Sequence, residues 1–257
     1  MTLRYSTAAR NFMAGIGSYK DAFHNGRVEI YSGAQPASAD AAVTGVLLCT
    51  LTNASGARTS EVLSSGTVTL NTGAAGSVDT ITVNSVDILG GSVPFNTSLN
   101  QTAADVAAKI NAYKGTVRYT ASASGAVITI KALPGTGTSP NGFVVASTAT
   151  TITKTDVNMS GGVAAANGLL YGAASAAVIA KLATQVWSGV NAGSGTAGWF
   201  RNYGSVADAG AIDSSALYIR EDGAIATSGG ELNMTSTALV AAATTTISAW
   251  DRTFPTL

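Results

Sequence analysis

Charge is what this chain has least of. Fourteen Lys and Arg and fourteen Asp and Glu make 11% of 257 residues, less than half the roughly 25% usual in a soluble domain. The two signs cancel, so no basic field draws in nucleic acid or an anionic lipid surface, and neither partner is expected. A single cysteine, Cys49, excludes an internal disulfide, and in the apolar run 46–52 it reads as core filler. A single histidine, His24, leaves a zinc site without ligands and a Ser-His-Asp triad without its G-x-S-x-G elbow; beside Gly26 it reads as a capping or solvent-facing imidazole. No apolar run reaches the roughly eighteen residues of a membrane span, so a soluble chain is expected. Residues 1–15 carry Arg4 and Arg10 but no continuous apolar stretch with a cleavage site, so no secretion signal is expected.

The carboxylates Glu29, Glu61, Glu221, Asp222 and Glu231 lie in or near strand-like runs. Paired carboxylates could serve glycoside hydrolysis, but spacing alone brings no two face to face, and they read as solvated strand-edge or turn residues. No catalytic, cofactor-binding or metal-ligating residue is assigned, and the chain is not expected to be an enzyme. The run GSGTAG, Gly193 to Gly198, has the G-x-G-x-x-G spacing of a dinucleotide-binding loop. That fingerprint needs a helix opening at its third glycine. Here Trp199 to Val206 is aromatic and β-branched, and Gly204 breaks any helix, so the run reads as the loop of a β-hairpin between Val178 and Tyr203.

What the chain does contain is Thr, Val, Ile, Ala and Gly in short strand-like runs. Ala9, Phe12, Met13, Ile16, Tyr19 and Phe23 at helical spacing predict an N-terminal helix over 7–25, weakened by Gly15 and Gly17. Strands follow at 27–33 and 46–52. From Ser60 the style changes to Thr/Val/Ile strands at 66–73, 77–89, 115–133 and 143–154. Among them lies a helix, 102–114, with Ala103, Val106, Ile110 and Tyr113 on one face and Thr102 with Asp105 at capping-box spacing. After about residue 165 the first style resumes. The reading is a mainly-β chain: an antiparallel β-sandwich or jelly-roll-like domain with an N-terminal helix, from 1–60 and 165–257, carrying an inserted small α+β (βαββ) domain at 61–164.

Residues 27–52, 195–205 and 222–248 together resemble a family of tailed-bacteriophage virion proteins, small β-rich products of the head and neck region. The middle segment is similar to small domains inserted in phage sheath, baseplate and other tail proteins, where a helix of the AAxxAAAIN type precedes a Y-x-A-x-x-x-G-x-x-V-x-I hairpin. Ala107, Ala108, Ile110 and Asn111 match the helix, and Tyr119, Ala121, Gly125, Val127 and Ile130 match the hairpin. The resemblance implies a structural protein of the virion, assembled in the host cytoplasm, without cofactors: a head decoration or minor capsid protein that binds itself and the major capsid protein. It leaves open a tail, neck or baseplate component, and a receptor- or glycan-binding module. The candidate assembly contacts are Phe12, Ile16, Tyr19 and Phe23 on the N-terminal helix and Trp187, Trp199, Phe200 and Tyr203 on the hairpin, more aromatic surface than a small sandwich is expected to hide.

Overall fold

A computed structural model describes residues 3–113 and 119–254. The chain is mainly β, with several antiparallel sheets and, among the described residues, three helices. It divides into two compact units, one from Met1–Glu61 with Ala165–Leu257, the other Val62–Ala164.

The first unit is built on one nine-stranded sheet. Its main path runs Arg4–Tyr5, Arg220–Ala226, Gly195–Tyr203, Arg27–Ser32, Leu47–Asn53, Trp187–Val190, Thr244–Ile247, with Leu232–Asn233 and Ala238–Leu239 attached beside it. The strands flanking the loop at 191–194 are therefore not a hairpin. Arg27–Ser32 and Leu47–Asn53 lie between them, and Ala192 N–H donates to the Leu48 carbonyl. Long-range pairing has overridden the short connection. The expected strand over 178–190 is also split, Val178–Ala180 pairing with Asp251–Thr253 and Trp187–Val190 joining the large sheet.

The expected N-terminal helix is two helices, Thr7–Gly15 and Tyr19–Phe23. At the break the Phe12 ring packs over Gly17: a Cβ there would stand 2.7 Å from the ring and force it to shift. The second helix restarts on its own signal. The Ser18 hydroxyl accepts from Asp21 N–H while the Asp21 carboxylate accepts from Ser18 N–H, a capping box spelled S-Y-K-D.

The second unit holds two four-stranded sheets and one helix. Strand Ser77–Val83 pairs with Val145–Thr150 and with two short strands, Val86–Asp87 and Val93–Pro94. The other sheet runs Thr153–Ser160, Ser65–Thr72, Val127–Lys131, Thr120–Ser124. Helix Leu99–Ala112 buries Thr102, Ala103, Val106, Ala107 and Ile110 and leaves Ala108 exposed. The cap is Ser98, whose hydroxyl accepts from Gln101 N–H; Thr102 and Asp105 are not the capping box, because the helix begins a turn earlier. Thr102 instead bonds back to the Ser98 carbonyl, and Asp105 accepts from Asn96 and Gln101. The helix end expected at Lys114 and the strand start expected at 115–118 lie outside the described residues. Asn111 fastens the helix to the next strand: its amide donates to the Ala121 carbonyl and its oxygen accepts from Ala121 N–H, both at 2.8 Å.

Each unit closes its own chain ends. Thr59 and Ala166 exchange two backbone hydrogen bonds within the first, Val62 and Val163 within the second. Excision of 62–164, with Glu61 joined to Ala165 through a short glycine linker, should therefore leave a cooperatively melting remainder by calorimetry. In the full chain Ile110→Asp should destabilise the second unit by more than about 4 kcal/mol, by burying an unpaired charge, while Ala108→Ser should stay within about 0.5 kcal/mol.

Candidate functional site

Period-two alternation gives the large sheet two chemically different faces. Arg27, Glu29 and Tyr31 alternate with Val28 and Ile30, and the register pairs Tyr203 with Arg27, Arg201 with Glu29 and Trp199 with Tyr31. On the neighbouring strand Arg220 opposes Tyr203 and Asp222 opposes Arg201. One face of four adjacent strands is thus a layer of charged and aromatic groups. It is covered all the same. Arg201 and Asp222 are fully buried and form a two-pronged ion pair, Nε–Oδ1 and Nη2–Oδ2 both 2.7 Å. Arg220 grips Asp208 in the same fork geometry at 2.6 and 2.7 Å. Loop carbonyls close the layer: Arg201 donates to Ala41, Arg220 to Ala39 and Arg4 to Pro36. Tyr31 stacks on Trp199 with centroids 4.6 Å apart, and the Arg27 guanidinium lies 3.9 Å from the Tyr203 ring centroid.

The opposite face holds the apolar core, in which Phe200, Val28, Ile30 and Leu51 meet Tyr19, Phe23, Tyr171, Trp187 and Trp250. Edge-to-face contacts link Tyr19 to Tyr171 and Tyr171 to Trp187, and Phe200 to Trp250. Glu221 is the one carboxylate at its centre. Arg252 donates to it at 2.7 Å, Tyr19 at 2.8 Å and Asn202 at 3.0 Å.

Within this architecture the candidate assembly contacts are mostly interior. Phe12, Tyr19, Phe23, Trp187, Trp199, Phe200 and Tyr203 are all buried; of the eight, only Ile16 is exposed, at 39%. A wide sheet covered on both faces has more interior than a small sandwich, and it encloses every one of these rings. The carboxylates expected at solvated edges are corrected in part. Glu61, Glu221 and Asp222 are buried, and Glu61 accepts a hydrogen bond from the Ser205 hydroxyl. Gly195–Tyr203, which holds the last four residues of the GSGTAG run, is a strand, and a Cβ on Gly198 would stand 2.2 Å from the Gly33 carbonyl oxygen. That glycine permits a close approach of backbones. Burial pushes the Cys49 thiol up to about 11, and it lowers the imidazole of His24, whose backbone N–H caps the Tyr19–Phe23 helix by donating to the Lys20 carbonyl.

Beside the charged layer opens a cleft of about 550 Å³ lined by Arg27, Arg58, Ser60, Ala207, Asp208, Ala209 and Tyr218. None of these was singled out from the sequence, because they come from three separate segments. A second cavity, about 300 Å³, lies in the other unit between Tyr119, Leu133, Thr136, Ser139 and Phe143. Among the described residues no group of three or more His, Cys, Asp or Glu is arranged to hold a metal ion, and no helix is long and apolar enough to cross a membrane. No protein-family model, curated protein or solved structure matches this chain.

The Arg201–Asp222 pair can be tested directly. Either Arg201→Met or Asp222→Leu alone should cost about 3–5 kcal/mol in denaturant unfolding, because each leaves a buried charge without its partner. The double variant should be between neutral and about 4 kcal/mol more stable than the wild type at neutral pH. Burial, outweighing Arg201, holds the Asp222 carboxyl above its ordinary 3.8. Its contribution is therefore full below pH 3.8 and lost as pH rises through the higher folded value, so the double variant's advantage should narrow on acidification.

Proposed function

We propose that this chain is a structural protein of a bacteriophage virion, a head decoration or minor capsid protein that self-associates and seats on the capsid shell. The observation that carries the reading is where the charge goes. In a chain already poor in charge, four Arg–carboxylate pairs of the first unit are withdrawn into its interior or its half-buried margins, with Arg201–Asp222 wholly enclosed. The surface left over is rich in small neutral residues and offers neighbours little electrostatic repulsion. The likeness of its strand runs to tailed-phage virion proteins, noted above, supplies the setting.

The contact surface in this reading is not the aromatic set. It is a rim at one end of the sheet, where Val46, Val190 and Val240 are 63, 57 and 63% exposed. Asn191 and Ala192 draw these segments together: Asn191 bonds to the carbonyls of Val240 and Ala243, and Ala192 to that of Leu48. We assign this rim to a second copy of the chain. A tail or baseplate position is the second reading, favoured by the helix-to-strand unit Leu99–Ser124 and its Asn111 fastening, which has the pattern of domains inserted in sheath and baseplate proteins.

The test is to introduce Val190→Asp with Val240→Asp. Both sites are exposed, so the variant should melt as the wild type does. Its solution mass should fall toward that of a monomer, and its occupancy on purified particles, read by cryo-electron microscopy, should drop. Unchanged mass and full occupancy would remove the rim from assembly. Density on the tail alone would select the second reading, and absence from particles would remove both.

A further inference from the structure

The cleft beside the charged layer has an excess of cationic donors that the protein itself does not satisfy. Arg27 directs Nε to Glu29 at 2.7 Å and Nη2 to the Asp208 carbonyl at 2.5 Å, which leaves Nη1 without a partner. Arg58 directs Nη2 to three backbone carbonyls, those of Asn25, Gly204 and Ser205, and Nη1 to the Ser60 hydroxyl at 2.8 Å. Its Nε is buried and has no acceptor. The neighbouring carboxylates are engaged elsewhere. Glu29 is held by Arg27 and Tyr31, and Asp208 by both prongs of Arg220 and by Gly210 N–H. Among the described residues no carboxylate lies within ion-pair distance of Arg58, whereas Arg27, Arg201, Arg220 and Arg252 each have one.

Two guanidinium groups therefore line one cleft, and one of them, Arg58, feels Glu29 and Glu61 only at a distance, with no direct ion pair among the described residues. Burial, and then the repulsion of Arg27, push Arg58 down to about 10. An anion placed between them would answer both effects. It would neutralise a half-buried cation and supply acceptors to N–H groups now lacking them. Guanidinium matches the oxygens of phosphate and carboxylate in a planar fork, which a halide ion does not offer. Ser60 and Tyr218 add hydroxyls to the same lining.

From this geometry we propose that the cleft is a binding site for an oxyanion, a phosphate or carboxylate group held between Arg27 and Arg58. The site belongs to the first unit alone and is independent of the virion reading, so either can fail without the other.

The experiment is calorimetric titration of the full-length protein at constant ionic strength, with inorganic phosphate in one arm and acetate in the other. Saturable binding in either arm supports the site, and the arm that saturates tighter identifies the source of the group. Because Arg58 also ties three carbonyls, Arg58→Gln risks the fold, and Ala209→Glu is the cleaner variant. Ala209 is exposed and lines the cleft, so the new carboxylate occupies the site from within. Affinity should fall about tenfold or more in Ala209→Glu, with cooperative melting retained. Tyr218→Phe, which removes a hydroxyl from the cleft lining, should weaken binding several-fold. No saturable heat in either arm, or equal affinity in wild type and Ala209→Glu, overturns the proposal.

Discussion

The two-pronged ion pair between Arg201 and Asp222 is the constraint to which its surroundings in the first unit conform. Both groups are shut away from water, and two charges in that position are tolerated only when their geometry is good and their remaining hydrogens are satisfied. Those conditions impose the surroundings. The strands Gly195–Tyr203 and Arg220–Ala226 must be paired in the one register that sets Arg201 against Asp222. The loop from Gly33 to Gly45 must lie over the sheet so that the Ala41 carbonyl reaches Arg201 and the Ala39 carbonyl reaches Arg220. A slip of one residue in that register would send Arg201 into the apolar core and bring Phe200 out of it.

The same logic explains how a chain so poor in charge holds a wide sheet together. Its arginines serve as cross-strand and strand-to-loop ties, each fork spanning two segments far apart in the chain. Glu221 does the equivalent work on the apolar face, where one carboxylate accepts from Arg252, Tyr19 and Asn202 and so joins the second helix, the C-terminal strand and the sheet. Arg58, like Arg4, is tied to backbone carbonyls and not to a carboxylate. It lines the open cleft, where the proposed oxyanion would supply the acceptor that its buried Nε lacks.

The second unit follows simpler rules. Its sheets bury aliphatic side chains, its helix presents a clean stripe of Ala103, Val106 and Ile110, and a single side-chain amide, Asn111, ties the helix to its neighbouring strand. Such a unit needs little charge, since backbone pairing and aliphatic burial are sufficient.

Much of this was legible in the sequence where the physics is local. The mainly-β character followed from short Thr/Val/Ile runs, the helix at Leu99–Ala112 from its periodicity, and the strand at Gly195–Tyr203 from the missing helix signal after GSGTAG. The capping box Ser18–Asp21 is equally local, yet the reading of one helix over 7–25 passed over it, and it marks where the chain restarts as a second helix. What the sequence could not specify is which strands are neighbours and which faces are covered. Arg27, Glu29 and Tyr31 alternate with Val28 and Ile30 as they would on a strand half exposed to water; only the arrival of two distant loops turns the polar side into an interior. Residues 191–194 are short enough for a hairpin, yet the chain uses them to cross two intervening strands. Burial of the aromatic rings and assembly of the Arg27–Arg58 cleft are set by contacts between residues far apart in the chain. Tertiary structure decides those, because each depends on a pairing whose partner no local pattern names.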